Sequence, residues 1–175
     1  MRTVSSPRRP AAAALSALSL SLLLLGSVAA CGGGSSPTSP GGRASAASVE
    51  MSSWGLINQA RRTDGRPDLT LDPLLSDIAR RYSERMRDEG FFGHTDPSGG
   101  TTASRVQSVG VGFSILGENL ALVSHSSDPA AAAHNLLMGN AEHRANILDG
   151  RFRDTGVGVA TNGDTYWITQ IFSRP

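Results

Sequence analysis

The stretch TGVGVATNGDTYWITQIFSRP, residues 155–175, decides what class of fold the chain adopts. Two extended runs flank the pair Asn162-Gly163, and an Asn-Gly pair in that setting is the strongest short-range signal of a β-hairpin. The stretch therefore predicts two antiparallel strands at the C-terminus. Trp167 and Phe172 lie an odd number of positions apart on the second strand, so they face opposite sides and at most one of them is deep core.

Two segments upstream of the hairpin carry the start and stop signals of helices. In LDPLLSDIARRYSERMRDEG, residues 71–90, Asp72 can cap a helix, Pro73 suits its first position and Gly90 suits its end. The apolar residues of this segment form one stripe, which indicates core packing and needs no cofactor. SDPAAAAHNLLMGN, residues 127–140, repeats the same order of Asp, Pro and Gly.

Shorter segments complete the domain. Residues 51–61 have apolar positions at helical spacing and end before the breaker run TDGRPD. Val111, Phe113 and Ile115 alternate with small or polar residues, which predicts an extended segment or strand. A short helix is predicted at 101–108 and a helical turn at 141–150. Because the helices precede the antiparallel pair, we predict an α+β domain.

The first thirty residues have the character of an export signal. Arg2, Arg8 and Arg9 precede a long run of apolar and small residues, without any acid. The length of that run also suits a transmembrane helix, but it ends in VAAC, residues 28–31, which resembles a bacterial lipobox. We therefore predict a lipoprotein signal peptide at residues 1–30, with an ordinary signal peptide and a leftover cysteine as the alternative.

In a lipoprotein, Cys31 would carry diacylglycerol and further acyl chains such as palmitate, since one chain alone anchors weakly. Residues 31–48 are rich in Gly, Ser and Pro and are predicted to be a flexible tether. Residues 49–175 have the length of one domain. We expect an exported protein that is attached to the bacterial membrane through lipid and lies outside the cytoplasm; the sequence does not indicate its oligomeric state.

The composition excludes several functions. All 16 basic residues are arginine, and they stand against 15 acidic residues. Removal of the three arginines of the signal peptide leaves 13 against 15, a net charge of −2, so no basic surplus remains to neutralise phosphates. Nucleic-acid binding is therefore not expected. The lack of lysine also excludes a Schiff-base lysine and the lysine of a P-loop.

Three ionisable residues are candidates for a functional site. His94 follows two phenylalanines that we interpret as a buried pair in FFGHTDPSGG, Glu118 lies in GEN, and His143 lies in EHRANIL. Structural explanations stay open for two of them, because Glu118 could bond the amides of a tight turn and His143 could cap a helical turn. We interpret His125, in a polar loop, as a solvated bystander and His134 as a tolerated surface residue.

The strong sequence signatures of catalytic and metal sites are not found. There is no HExxH, a CxxC is impossible with one cysteine, and there is no GxSxG. The single cysteine also excludes an intramolecular disulfide. The residues by themselves therefore support only the weak statement that two histidines and a carboxylate line one cleft.

Several short segments follow one another in the order of a known family. These are INQAR at 57–61, LDPLLSDIA at 71–79, FFGH at 91–94, GEN at 117–119, HRANIL at 143–148, TGVGVA at 155–160 and YWITQIF at 166–172, with Met86, Arg105 and Gly110 between them. In this ordered set, which covers residues 49–175, the chain resembles the CAP superfamily in its bacterial form, the SCP-like extracellular domain.

The resemblance implies an α-β-α sandwich, with a small antiparallel sheet between helical layers and an open cleft lined by two histidines and acidic residues. His94 and His143 match the two cleft histidines, and Glu118 matches the acid of GEN. The fourth place of the cleft falls on Asn140. Glu142 close by is either a displaced substitute or a solvated acid at a helix start, and the second is favoured because acids are stabilising there.

Two functions fit such a cleft. A binding module would hold a divalent metal such as zinc through His94, His143 and Glu118, or a lipid, sterol or cell-envelope fragment. A hydrolase would use the same three residues, with Glu118 as general base toward water, alone or through a metal. A purely architectural surface protein is a third possibility. Because the fourth place of the cleft falls on Asn140, the set of cleft residues that the resemblance implies is incomplete, and this favours binding over catalysis. Asn119 and Asn146 are predicted to tie loops together through side-chain amides.

Overall fold

The structure is a computed structural model of the chain and describes residues 42–175. The predicted signal peptide, Cys31 and the first part of the predicted tether lie outside the described residues. Within residues 42–175, five helices and four strands follow in the order α1 Ala46–Thr63, β1 Thr70–Leu71, α2 Pro73–Glu89, α3 Thr102–Gln107, β2 Ile115–Ser124, α4 Pro129–Gly139, α5 Ala141–Leu148, β3 Asp154–Asn162 and β4 Thr165–Arg174.

The four strands form one sheet in the order β1-β3-β4-β2. Strands β3 and β4 are the predicted C-terminal hairpin, and they pair antiparallel from Asp154↔Ser173 to Asn162↔Thr165. Strand β2 pairs antiparallel with the other side of β4, and the two-residue β1 pairs parallel with β3. The small antiparallel sheet is confirmed, and β1 adds a short parallel edge that the sequence analysis did not predict.

The turn of the hairpin lies one residue later than predicted. Strand β3 runs through Asn162 and β4 begins at Thr165, so the two loop residues are Gly163 and Asp164. Gly163 has a φ of 58°, and Asp164 keeps a negative φ. A glycine with positive φ at the first loop position is the pattern of a type II′ turn, which matches the twist of the flanking strands.

Helices cover both faces of the sheet. Helix α2 packs against β3 and β4 on one face, and α1, α4 and α5 pack on the other. The side chains of β4 divide accordingly, since Ile168 and Phe172 join the core with α1 and α4 whereas Ile171 packs with Leu75 and Ile78 of α2. Alternation of this kind is what a sheet buried on both faces requires. The expected α-β-α sandwich is confirmed.

Helix α2 meets strand β3 at two glycines. A Cβ added to Gly156 would lie 2.2 Å from the backbone carbonyl carbon of Leu75, and one added to Gly158 would lie 1.9 Å from the backbone nitrogen of Arg80. Both contacts are with helix backbone, so no side-chain rotation could relieve them. The alternation of Gly and Val in TGVGVA therefore serves both faces of β3, with glycine toward α2 and valine toward the core around α1.

Helix α1 starts earlier than predicted. Its N-cap is Ser45, whose hydroxyl accepts a hydrogen bond of 3.1 Å from the amide of Ser48. Residues 46–48, predicted as the end of the tether, are therefore helical. Among the helices of residues 42–175, none is both long and apolar enough to cross a bilayer.

The segment that leads into α1 is fastened beside the hairpin turn. The hydroxyl of Tyr166 donates a hydrogen bond of 3.1 Å to the carbonyl of Ala44, and Arg43 pairs with the carboxylate of Asp164. The described chain therefore enters the domain at the end of the sheet where β3 turns into β4.

The polar residues of INQAR connect α1 to its neighbours. Asn58 bonds both backbone groups of Leu69, donating to its carbonyl at 3.1 Å and accepting from its amide at 2.8 Å. The fully buried Arg61 donates to the carbonyls of Ile147 and Asp149 at 2.9 and 3.0 Å, at the C-terminal end of α5. Burial lowers the pKa of Arg61, as expected for a cation bound mainly by carbonyls.

The bounds of the strands test two predictions about apolar residues, one on where β2 begins and one on which aromatic residue of β4 is buried. Val111 and Phe113 lie outside the strands and pack against the core beneath α2, and β2 begins only at Ile115. On β4, Phe172 is fully buried whereas Trp167 is only partly buried. The prediction that at most one of these two aromatic residues is deep core is confirmed.

We predict that Gly158→Ala lowers the free energy of unfolding by about 1–3 kcal/mol or more, because the added methyl group overlaps the backbone of α2. Gly55→Ala is the control, since Gly55 lies in α1 and a methyl group added there would have nothing within 4 Å. Alanine is favoured over glycine there by about 0.5–1 kcal/mol. Urea unfolding of both variants measures the difference, and equal stability of the two would contradict the proposed contact.

Candidate functional site

Glu118 is the buried centre of the site. It lies in β2, and its side chain is only 3% exposed. Its Oε1 is 2.8 Å from Nδ1 of His94, and its Oε2 accepts a hydrogen bond of 2.6 Å from Nη2 of Arg105. Both carboxylate oxygens are therefore engaged by side chains from other segments. The alternative in which Glu118 bonds the amides of a tight turn is wrong, because the residue is in a strand.

The residues before His94 hold it in a way that differs from the prediction. Phe91 is partly buried and packs edge-on against Tyr82 at 5.9 Å, but Phe92 is 49% exposed. The prediction of two buried phenylalanines is therefore wrong for the second one. The backbone is held instead by a hydrogen bond of 2.5 Å from the hydroxyl of Tyr82 to the carbonyl of Gly93.

The turn that follows His94 is built around a buried carboxylate, Asp96. Its Oδ1 accepts from the hydroxyl of Ser98 at 2.6 Å and from the amides of Ser98 and Gly100 at 2.8 and 3.0 Å. Its Oδ2 pairs with Arg85 at 2.5 Å. The bond from the Ser98 hydroxyl, followed by the amides and the Arg85 charge, lowers the pKa of Asp96 to about 2. The segment TDPSGG is thus a fixed turn on one side of His94.

Asn140 starts helix α5 and so places His143. Its side-chain Oδ1 accepts hydrogen bonds from the amides of Glu142 and His143, at 2.9 and 3.2 Å. His143 therefore lies in the first turn of the helix, and the cap is Asn140. Glu142 is exposed in the same turn, where an acid is stabilising. Of the two residues considered for the fourth place, one is an N-cap and the other is a solvated acid at a helix start.

Two asparagines connect α5 to β2. Nδ2 of Asn119 donates to the carbonyl of His143 at 3.0 Å. Nδ2 of Asn146 donates to the carbonyl of Glu118 at 3.2 Å and to Oδ1 of Asn119 at 3.0 Å. The predicted bonding through side-chain amides is present, but it joins a helix to a strand and not two loops. Their effect is to fix the backbone of His143 relative to the backbone of Glu118.

The two histidine rings lie next to each other at the surface. The ring centres of His94 and His143 are 6.5 Å apart, with the planes at 71°. The side chain of His94 is 56% exposed, and a shallow groove beside it is lined by hydroxyl and apolar groups, including Thr95, Thr101 and Leu116. The structure therefore brings His94, His143 and the buried Glu118 together, although they lie far apart in the sequence.

The two rings have pKa values shifted in opposite directions. The hydrogen bond with Glu118 raises the pKa of His94, and burial together with the charge of Arg105 opposes that shift. Burial lowers the pKa of His143, with a smaller contribution from the positive charge of His94. As the pH falls, His94 is therefore protonated first and His143 later.

The other two histidines of the chain lie away from this pair. His125 is 84% exposed at the end of β2, with a φ of 55°, so the prediction that it is solvated is confirmed. His134 is half-buried in α4, and its Nδ1 is buried without a hydrogen-bond partner among residues 42–175. Burial lowers the pKa of His134, so the interpretation of a simple surface residue is wrong.

The geometry reduces the set of metal ligands that the sequence analysis predicted. Within residues 42–175, no three or more His, Cys, Asp or Glu side chains are grouped so as to hold a metal ion. One carboxylate oxygen of Glu118 is hydrogen-bonded to His94 and the other to Arg105. Glu118 therefore orients the ring of His94 and leaves no oxygen free for a metal ion. The donors that remain toward solvent are the two imidazoles. With metal–nitrogen bonds of about 2 Å and tetrahedral geometry, the centres of two ligating rings are about 5 Å apart, so the rings, now 6.5 Å apart, share one ion only if they approach by about 1 Å.

Comparison with known proteins gives one family and several relatives. The family described as CAP, the Cysteine-rich secretory protein family, matches residues 54–172. Two proteins of Bacillus subtilis (strain 168) are similar: the uncharacterized protein YkwD, 31% identical over 119 residues, and the uncharacterized membrane protein YlbC, 31% identical over 120 residues. Each alignment covers 68% of this chain, but 45% of YkwD and 32% of YlbC. The chain thus spans less than half the length of these curated relatives.

Solved structures show the same fold. An extracellular protein containing a SCP domain from Bacillus anthracis str. Ames is 33% identical, with a TM-score of 0.61 over 73% of this chain and 40% of that one. An outer surface protein from Borrelia burgdorferi is 16% identical, with a TM-score of 0.67 over 76% and 97% of the two chains. NaASP2, solved with Zn²⁺, is 13% identical, with a TM-score of 0.53 over 76% and 82%. The last two are similar in fold alone.

We predict that Glu118→Gln lowers the pKa of His94 toward its ordinary value of about 6.5, because a neutral amide does not favour the imidazolium. The raised pKa means that His94 adds most to stability below about pH 6.5, and that this contribution is lost as the pH rises through the pKa of the folded state. Histidine NMR titration of wild type and variant measures the shift. His125 is the internal control, and an unchanged His94 pKa would refute the assigned hydrogen bond.

Proposed function

The chain belongs to the CAP family, the Cysteine-rich secretory protein family, and from this we propose that its domain is an exported binding module. The cleft formed by His94 and His143 takes a divalent metal ion such as zinc, together with or in place of a lipid or cell-envelope ligand. The observation that carries the proposal is an exposed imidazole, His94, which is oriented by a buried carboxylate and lies beside a second imidazole.

The chemistry of the donors supports a metal that exchanges readily. Imidazole nitrogens are good ligands for zinc and copper. A carboxylate that accepts a hydrogen bond from the far nitrogen of a ligating histidine orients the ring and raises its basicity, and Glu118 stands in that relation to His94. With only two protein donors, the remaining coordination positions would be filled by water or by the ligand itself. A closed structural site does not fit this set.

A hydrolase acting through His94 is the second candidate function. A histidine whose Nδ1 is held by a buried carboxylate is also the arrangement of a general base that activates water. In this case the base is His94 and not Glu118, because both oxygens of Glu118 are engaged. Binding is favoured because the fourth place of the cleft falls on Asn140, which is the N-cap of α5, so the set of two histidines and two acids is incomplete.

We further propose that the protein is anchored outside the cytoplasm by lipid on Cys31. The lipobox-like VAAC at residues 28–31 supports this, and the similar protein of Bacillus anthracis is described as extracellular. The anchor would hold the binding module close to the cell envelope, where lipids and wall fragments are the available ligands.

Zinc titration of the full-length chain by calorimetry tests the metal site. We expect the wild-type chain to bind one zinc ion weakly. The affinity for zinc should fall at least about tenfold in His94→Ala and in His143→Ala, because each variant removes one of the two donors. Glu118→Gln is expected to lose about 10–100-fold, as for other residues that support a metal ligand. His125→Ala is the matched control and should bind as wild type does.

Equal binding in all variants, or no binding by wild type, would reject the metal site. Incubation with casein and with purified cell wall separates the two functions. A binding module forms no product, whereas product that wild type makes and His94→Ala does not would establish the hydrolase instead.

For the anchor, we expect cells fed labelled palmitate to incorporate the label into the wild-type chain. Cys31→Ala should lose the label, because no other thiol is present to be acylated. Label retained by this variant would show that the attachment lies elsewhere.

A further inference from the structure

Among residues 42–175, Arg105 is the one cation that touches both the buried carboxylate and the backbone of the exposed histidine. It lies in the short helix α3, and its side chain is 14% exposed. Its Nη2 donates to Oε2 of Glu118 at 2.6 Å, and its terminal nitrogens approach the carbonyl of His94 at 3.4 and 3.5 Å. The same guanidinium also donates to the carbonyl of Gly100 at 3.2 Å, at the end of the turn that follows His94.

The guanidinium is itself held in one place. It stacks on the ring of Tyr82, with 3.3 Å between the guanidinium carbon and the ring centre, and it donates to the hydroxyl of Thr102 at 3.1 Å. Tyr82 bonds the carbonyl of Gly93, so the residues on either side of the guanidinium also hold the His94 segment. The Nε of Arg105 is buried without a partner among the described residues. The side chain thus keeps this position in spite of an unmade hydrogen bond.

We propose that Arg105 is a positioning residue of the cleft, which holds Oε2 of Glu118 so that Oε1 accepts a hydrogen bond from Nδ1 of His94 and Nε2 of His94 is left to face the ligand. An ionised carboxylate only accepts hydrogen bonds, so the neutral ring must carry its proton on Nδ1. The free electron pair is then on Nε2, the atom that a metal or a transferred proton would meet.

The alternative is that Arg105 is only a counter-charge for Glu118. The two cases differ in the sign of one observable. The positive charge of Arg105 by itself lowers the pKa of His94, and the hydrogen bond with Glu118 raises it more. If Arg105 were only a charge, its removal would raise the pKa of His94. If Arg105 keeps Glu118 in place, its removal breaks the hydrogen bond between Glu118 and His94, and the pKa of His94 falls toward its ordinary value.

The experiment compares Arg105→Gln and Arg105→Lys with wild type in the metal-free, full-length chain, by two-dimensional ¹H–¹⁵N NMR of the histidine rings. In wild type we expect the neutral form of His94 to be the Nδ1-protonated tautomer. In Arg105→Gln we expect loss of that single tautomer and a fall in the His94 pKa. Arg105→Lys keeps the charge but loses the planar fork, so it should show a mixture of tautomers.

Arg151→Gln is the control, since Arg151 is exposed and pairs with Asp149 outside the cleft. A rise in the His94 pKa in Arg105→Gln, or an unchanged tautomer in both variants, overturns the proposal. Should Arg105→Gln fail to fold, the tautomer of His94 in Arg105→Lys decides, because lysine keeps the charge and changes only the geometry: a mixture of tautomers supports the proposal, and the single wild-type tautomer overturns it. The proposal builds on the proposed function only in taking Nε2 as the atom that meets the ligand. Because no metal is used, its failure is distinguishable from a failure of zinc to bind.

Discussion

The close approach of helix α2 to strand β3 is the constraint on which the site depends. Two glycines let the backbone of the helix lie against the sheet, with Arg80 over Gly158. Tyr82 follows one half-turn later, and its hydroxyl fixes the carbonyl of Gly93 while its ring supports Arg105. The position of His94 therefore depends, through one buried tyrosine, on the close approach of α2 to the sheet.

The second ring reaches the cleft by an independent route. Helix α5 begins at the cap provided by Asn140, and the amides of Asn119 and Asn146 fasten its first turns to β2. Because β2 also carries Glu118, the strand is the common reference for both imidazoles. Side-chain amides suit this role because each can both donate and accept: Asn119 donates to the carbonyl of His143 and accepts from Asn146, which also donates to the carbonyl of Glu118.

The sequence predicts the elements better than it predicts the contacts between them. Helix α2 and the hairpin are recognisable because caps, turns and apolar spacing are local, and the order of short segments identifies His94, Glu118 and His143. The engagement of Glu118 by Arg105 does not follow from the sequence, because thirteen positions of separation carry no geometric information. The exposure of Phe92 escapes prediction for the same reason, since an FF pair looks equally apolar whether one or both rings find a core.

The fastening of Arg43 and Ala44 beside the hairpin turn determines at which end of the domain the preceding chain is attached. Glu118 and Ser124 are six positions apart on β2, or about 20 Å, and Ser124 pairs with Thr165 at the turn. The segment that precedes Ala44 therefore joins the domain at the end far from the two imidazoles. The cleft therefore lies at the end of the sheet opposite to the point of attachment, so the attached chain does not obstruct the two histidines.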